Sequence, residues 1–465
     1  MSSTLDRRTP SVKTIMVWLA TLGFPLAILC IPTNALFTGQ IRLFLALTLF
    51  AILTFAFENM PQTMIAILLP IAYVITGIAP AEKAFGPWMQ YVPWMVLGGL
   101  ILADALNSAG LLKRIAYKCI ILTGANYNGI LIGLALAGTV LNIFIPSQAV
   151  VPMAALSYGI CVALDLGYSK ESAGIMLSAA MGALLPELFF YNPNTMIVFG
   201  VGASVAGPTP ITWMEYFLNN CISMLFLVIM IVIAIIMFKP SQPINSKDYF
   251  VSEYNKMGKM TLREKKGAAV CIFLFIVLLT GKYHGIELGW CFAAIPMLLF
   301  CPGIDVGTPE DLRHANYGFI LFVTACMGIG SVAGYLGIGQ IVSTIAIPLL
   351  DGHGSTFVMM FVWVLVMLLN FLLTPLAIQA AFTGPLVEIV SELSINPQAL
   401  YILIKHACDQ VILPYEYAQY LIYFSFGLIP LKDFIKLQGV KMIVSFIFVL
   451  LILLPFWRVI GFLFV

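Results

Sequence analysis

The chain has 465 residues, of which 61% are hydrophobic and only 9% charged, with a formal net charge of +2. Soluble domains carry roughly 25% charged residues, and a fold this poor in charge could not cover its surface in water. No basic run points to nucleic acid. The nine cysteines lie mostly in apolar runs without a CxxC or Cys/His cluster, and read as buried free thiols rather than zinc ligands or a disulfide framework.

A polar stretch precedes the first apolar run without a small-residue cleavage site, so that run reads as a retained transmembrane helix, not a signal peptide. Crossing a hydrocarbon core of roughly 30 Å takes about 20 apolar residues. On that rule, spans are expected near 14–31, 41–57, 63–78 and 91–106. A broken region follows near 130–164, then spans near 173–190 and 216–238. Beyond a polar loop come 268–280, 288–300 and 317–335, a second broken region near 357–393, and spans near 400–426 and 440–457. Counting each broken region as a re-entrant hairpin gives an all-α polytopic membrane protein of about eleven transmembrane helices plus two hairpins.

The organisation expected is a cytoplasmic N-terminal segment with the first helix (1–40), a first repeat (41–238), a cytoplasmic loop (239–267) and a second repeat (268–465). Lys and Arg in short loops set orientation. Arg7, Arg8 and Lys13, then Lys113, Arg114 and Lys118, then the seven basic residues of 239–267 fall on one side, which is therefore the cytoplasm. An odd number of crossings between equivalent points inverts the second repeat relative to the first.

The evidence for repetition is a shared spacing. Leu141-Asn142 and Leu369-Asn370 each precede a proline break, and Leu185-Pro186 and Leu413-Pro414 recur downstream; 370 − 142 and 414 − 186 both equal 228. Proline and polar breaks at matching points of two halves are the sequence signature of a secondary transporter's binding site. One break alone would favour a packed proline kink, and the matched pair favours re-entrant tips. Lipid supplies no hydrogen-bond partners, so such backbone must face protein or water. An incoming arm ends in carbonyls that suit a cation, while an outgoing arm begins with N–H groups that suit an anion.

Tyr191-Asn192-Pro193-Asn194-Thr195 reads either as an extramembrane turn or as an unwound point within a crossing, and the apolar run after it favours the second. A charge at mid-membrane costs roughly 2.5–3.5 kcal/mol on insertion scales, so it is kept only if paired, hydrated or used. Glu187 or Glu416 is therefore expected to carry a coupling proton or hold a cation. The competing reading is a neutral buried group of Lys405, Asp409 and Glu416. Asp104, Lys113 and Arg114, near a helix end, read as solvated anchors. The four scattered histidines, the lack of HExxH and the lack of a phosphate loop argue against an enzyme and against a cofactor.

From about residue 41 to 457 the chain resembles the divalent anion/sodium symporter family, in its citrate, dicarboxylate and 2-oxoglutarate/malate branch. The resemblance is carried by Ala103-Asp104-Ala105-Leu106-Asn107-Ser108-Ala109-Gly110-Leu111-Leu112-Lys113-Arg114-Ile115-Ala116 and by Ile211-Thr212-Trp213-Met214-Glu215-Tyr216-Phe217-Leu218. The family's Pro-Ser-Asn-Thr tip falls on Pro146-Ser147-Gln148-Ala149, which keeps Pro and Ser only, and the second tip falls near Thr374-Pro375-Leu376-Ala377. The resemblance implies an elevator-type homodimer in the inner or plasma membrane, moving a small organic anion with Na+ or H+ as coupling ion, or by exchange. It implies substrate contacts at Ser147, Gln148, Ala149, Asn192, Asn194, Thr195, Thr374, Pro375 and Ala377. Coupling roles are expected at Asn142, Asn370, Glu187 and Glu416. A channel or a membrane scaffold subunit is the rival reading.

Overall fold

The computed structural model describes residues 12–464 except 35, 58, 146–147, 208–209, 245, 339–351 and 372–374. Among the described residues the chain is helical, with one isolated bridge between Ile395 and Phe464. Large apolar side chains remain exposed along many helices, including Leu19, Ile75, Val228, Ile236, Ile443 and Leu451. That pattern fits lipid, which takes up the apolar surface that water would reject.

The first half begins with α1 (Val12–Leu29), α2 (Gly39–Phe57), α3 (Gln62–Ile75), α4 (Tyr91–Ala109) and the amphipathic α5 (Leu111–Leu122). Then come α6 (Tyr127–Phe144) and α7 (Val150–Ala163), α8 (Lys170–Leu184), a 3₁₀ turn at Leu185–Leu188, and α9 (Pro193–Ala206). A bent pair, α10 (Trp213–Asn220) and α11 (Ser223–Met237), turns through 55°. The polar loop carries α12 (Lys247–Lys256).

The second half contains α13 (Leu262–Leu279), α14 (Leu288–Ala294), α15 (Tyr317–Tyr335), α16 (Ser355–Leu369), α17 (Pro375–Glu392) and α18 (Pro397–Cys408). After a 3₁₀ turn at Pro414–Glu416 come α19 (Ala418–Ser425), α20 (Leu431–Phe448) and α21 (Leu454–Val459). The spacing of 228 recurs in whole elements. It carries the start of α6 onto that of α16 (127 + 228 = 355), and α4 and α8 to within two residues of the starts of α15 and α18.

Four helices among the described residues are long and apolar enough to cross a membrane unaided, or five with the bent pair; other apolar helices run 10–17 residues. Two of the expected spans are broken at proline turns. Pro186 lacks an N–H and ends α8, and Asn192 then caps α9 by accepting from the Thr195 N–H at 3.0 Å. The span expected to run unbroken from 400 to 426 is interrupted the same way between Cys408 and Ala418, around Pro414. Both spans flanking the proline turns are thus two half-helices.

Each half packs a pair of arms on the next helix: α6 and α7 on α8, and α16 and α17 on α18. In the first half the approach needs glycine. A Cβ on Gly182 would stand 2.6 Å from the Ala135 Cα, and one on Gly138 would stand 2.4 Å from the Gly182 carbonyl carbon. The halves join through α9, which packs on α15, α17 and α18, and through α4 on α14 and α3 on α15.

Candidate functional site

The first break is built around Glu187, which is almost wholly buried. Its Oε2 accepts from the Lys405 ammonium at 2.7 Å, across the repeat boundary. Asn194 Nδ2 donates to both carboxylate oxygens, at 3.3 and 3.1 Å. Asn192 Nδ2 donates to the carbonyls of Glu187 (2.9 Å) and Phe190 (2.7 Å), and the Tyr216 hydroxyl reaches the Glu187 carbonyl at 3.4 Å. Glu187, Asn192, Asn194 and the buried Thr195 therefore form one cluster.

The second break is closed by a different pair. Lys441, on α20 and fully buried, donates to the Asp409 carbonyl (2.6 Å), to Asp409 Oδ2 (2.9 Å) and to the Tyr420 hydroxyl (2.9 Å). Glu416 instead accepts from the backbone N–H groups of Ile412 (2.9 Å) and Leu413 (3.1 Å). The expected triad of Lys405, Asp409 and Glu416 is thus corrected. Lys405 takes Glu187, Asp409 takes Lys441, and Glu416 caps backbone, because each charge pairs with the group its crossing helix brings near.

Two asparagines tie the arms to the breaks. Asn142 Nδ2 donates to the Gly138 carbonyl (3.0 Å) and across to Ala183 (2.8 Å). Asn370 Nδ2 lies within 3.2 Å of the carbonyls of Ala407, Cys408 and Gln410. Both side chains thereby serve terminal carbonyls that a helix ending inside the protein leaves without intrahelical partners. Asn370 Oδ1 and Gln410 Oε1 are buried at this second break without a hydrogen-bond partner among the described residues.

Of the tip residues, Ser147 and Thr374 lie outside the described residues, as does Pro146. Gln148 is half-buried with its N–H on the Ile145 carbonyl at 3.0 Å, and the buried Ala149 opens α7. Pro375 is the first residue of α17, its carbonyl 3.8 Å from Cys408 Sγ, and Ala377 lies in the first turn. The N–H groups of that turn have no intrahelical partners.

Lys441 escaped sequence reasoning. It stands one residue inside the last expected span, and an ammonium flanked by Val440 and Met442 is the available signal. Arg114 corrects another expectation. It is buried, not solvated, with its guanidinium on Glu264 (2.8 and 3.3 Å) and on the carbonyls of Gly258 (2.8 Å) and Met257 (3.1 Å). Burial pushes the Glu264 carboxyl up, but Arg114 and the Thr261 N–H outweigh it and hold the carboxyl below its usual range. The guanidinium fork satisfies four acceptors that an ammonium could not reach in one plane.

A cavity of about 740 Å³ lies beside the first break, lined by Tyr91, Tyr191, Phe199, Glu215, Glu287 and Trp290 among others. It carries two carboxylates and no lysine or arginine in its lining, so it suits a route past α9 better than a seat for an anion.

Paired breaks in an all-helical polytopic membrane protein define the class of secondary transporters. The family described as the sodium:sulfate symporter transmembrane region matches residues 12–463, and the chain belongs to that family. A Haemophilus influenzae protein named an uncharacterized transporter is 28% identical over 224 residues. That match spans 47% of this chain and 47% of the relative, about half the length of each. Among solved structures, the Alcanivorax borkumensis YdaH transporter superposes with a TM-score of 0.58 at 11% identity, over 98% of this chain and 99% of its own. Neisseria gonorrhoeae MtrF, described among antimetabolite efflux pumps, gives 0.54 at 11% identity over 91% and 96%. At that identity the likeness shows the fold alone.

Proposed function

We propose that this protein is an elevator-type secondary active transporter of small organic di- or tricarboxylates. It works as a homodimer in the inner or plasma membrane with its N-terminus in the cytoplasm. The two repeats, 41–238 and 268–465, are inverted copies whose hairpins enter from opposite faces. The observation that carries this reading is the paired construction at 142–187 and 370–416, where an arm-end asparagine braces a helix broken inside the protein. Asn142 and Asn370 brace the tips or line cation sites. The first-turn N–H groups of α7 and α17, with Ser147, Gln148, Ala149, Thr374, Pro375 and Ala377, face the anion. Asn192, Asn194 and Thr195 complete the first-half pocket, and Glu187 and Glu416 set the charge around it.

Transport runs by cation symport or by exchange, without ATP. The family's sodium:sulfate description favours sulfate as the second substrate to test. The experiment is uptake of labelled citrate, succinate, malate, 2-oxoglutarate and sulfate into liposomes, under a sodium or a proton gradient. Saturable uptake with counterflow is expected. Non-saturating conductance would assign a channel instead, and the absence of any flux would leave a scaffold subunit.

A further inference from the structure

We propose that Lys405 and Lys441 are resident cations of the two helix breaks, so that neither break takes up a sodium ion during transport. A broken helix at membrane depth leaves carbonyls, and here also a carboxylate, that call for positive charge; transporters of this class commonly meet that need with a bound ion. In this chain the need is met covalently. The Lys441 ammonium has three donors, and its three contacts are a backbone carbonyl, a carboxylate oxygen and a phenol oxygen, at 2.6, 2.9 and 2.9 Å. Those are the hard oxygen donors that an alkali cation would choose.

The first break repeats the arrangement with other parts. Glu187 receives Lys405 at 2.7 Å, and Asn194 donates to both of its carboxylate oxygens. All four charged side chains are buried, with Glu187 1%, Lys405 5%, Asp409 7% and Lys441 0% exposed. Each of the two ammonium groups is therefore balanced by a carboxylate before any solute or ion arrives, while the buried Glu416 rests on backbone N–H groups. A sodium ion at either break would have to displace a tethered ammonium and leave it buried without a partner. Any sodium that drives transport is left to the hairpin tips.

The uptake arm of the test rests on the transporter reading, and the melting arm does not. Purified Lys441→Ala and Lys405→Ala would be melted in choline, sodium and ammonium chloride at fixed ionic strength, beside wild type and Lys441→Ala/Asp409→Asn. Removing the lysine leaves an oxygen-lined site with one negative charge. Lys441→Ala should melt lower in choline and recover in ammonium or sodium by more than wild type responds, while the double variant should show no such recovery. Lys405→Ala should respond in the same way through Glu187.

In liposomes, uptake by Lys441→Ala, taken relative to wild type in the same salt, should fall by about tenfold or more in choline and return towards the wild-type level with ammonium. The proposal is overturned if Lys441→Ala responds to these cations no more than wild type, or if the double variant recovers equally. It is also overturned if neither alanine variant folds in ammonium while the double variant folds. Wild-type liposomes that take up none of the anions would refute the transporter reading, and the melting comparison would still decide the lysines.

Discussion

The two breaks share a backbone plan and differ in how they are held. At the first, α6 meets α8 glycine to glycine, and the carboxylate of Glu187 is neutralised from the other repeat. At the second, the positions equivalent to Gly138 and Gly182 are Val366 and Gln410 (138 + 228 and 182 + 228), and Asp409 is neutralised within its own repeat by Lys441. The first break is tightly packed and couples the halves. Among the described residues both keep buried oxygens without partners, Thr195 Oγ1 at the first and Asn370 Oδ1 and Gln410 Oε1 at the second. The 228-residue spacing thus marks where each helix opens, while the residues that stabilise the opening differ between the halves.

The largest effect is expected from splitting the cross-repeat pair. Glu187→Ala or Lys405→Met leaves one buried charge uncompensated and should cost about 3–5 kcal/mol, read as a fall in melting temperature. Combining Glu187→Gln with Lys405→Met should recover most of that loss, since the neutral pair removes the stranded charge. A double variant no better than either single one would mean that the two groups do not act as a pair.

Packing should separate the breaks next. Gly182→Val forces backbone apart where a Cβ has no room and should cost about 1–3 kcal/mol. Gln410→Val, the matching change in the second half, should destabilise less, because it also removes a buried oxygen that has no partner among the described residues. Equal costs in urea or thermal unfolding would erase the proposed difference.

The asparagines refine the comparison further. Asn370→Ala strips the donor shared by three carbonyls and should cost about 1–3 kcal/mol, more than Asn142→Ala, whose donor braces α8 at the Ala183 carbonyl. A reversed order would show that the second break does not depend on its brace.

The smallest effect concerns the Arg114–Glu264 clamp and is read in the acid slope of stability. The folded Glu264 carboxyl is held below its ordinary range, so the clamp's stabilisation is full at neutral pH and is lost as pH falls through the lowered value. Glu264→Gln should therefore flatten the acid side of a melting-temperature profile. An unchanged acid slope would remove the clamp from the account.

How much of this was legible in the sequence depends on the range of the interaction. Hydropathy, proline and the 228-residue spacing are properties of contiguous backbone, and they determined the membrane class, the order of spans and the approximate places of the breaks. The break between Cys408 and Ala418 was half visible: Leu413-Pro414 marked it, yet the apolar run from 400 onward masked the interruption. Partnership was invisible. Lys405 and Glu187 are 218 residues apart, and Lys441 reaches Asp409 only because α20 passes the open end of α18. A charge in an apolar medium must be neutralised by something, which the sequence alone required; by which residue, only the crossing of the helices decided.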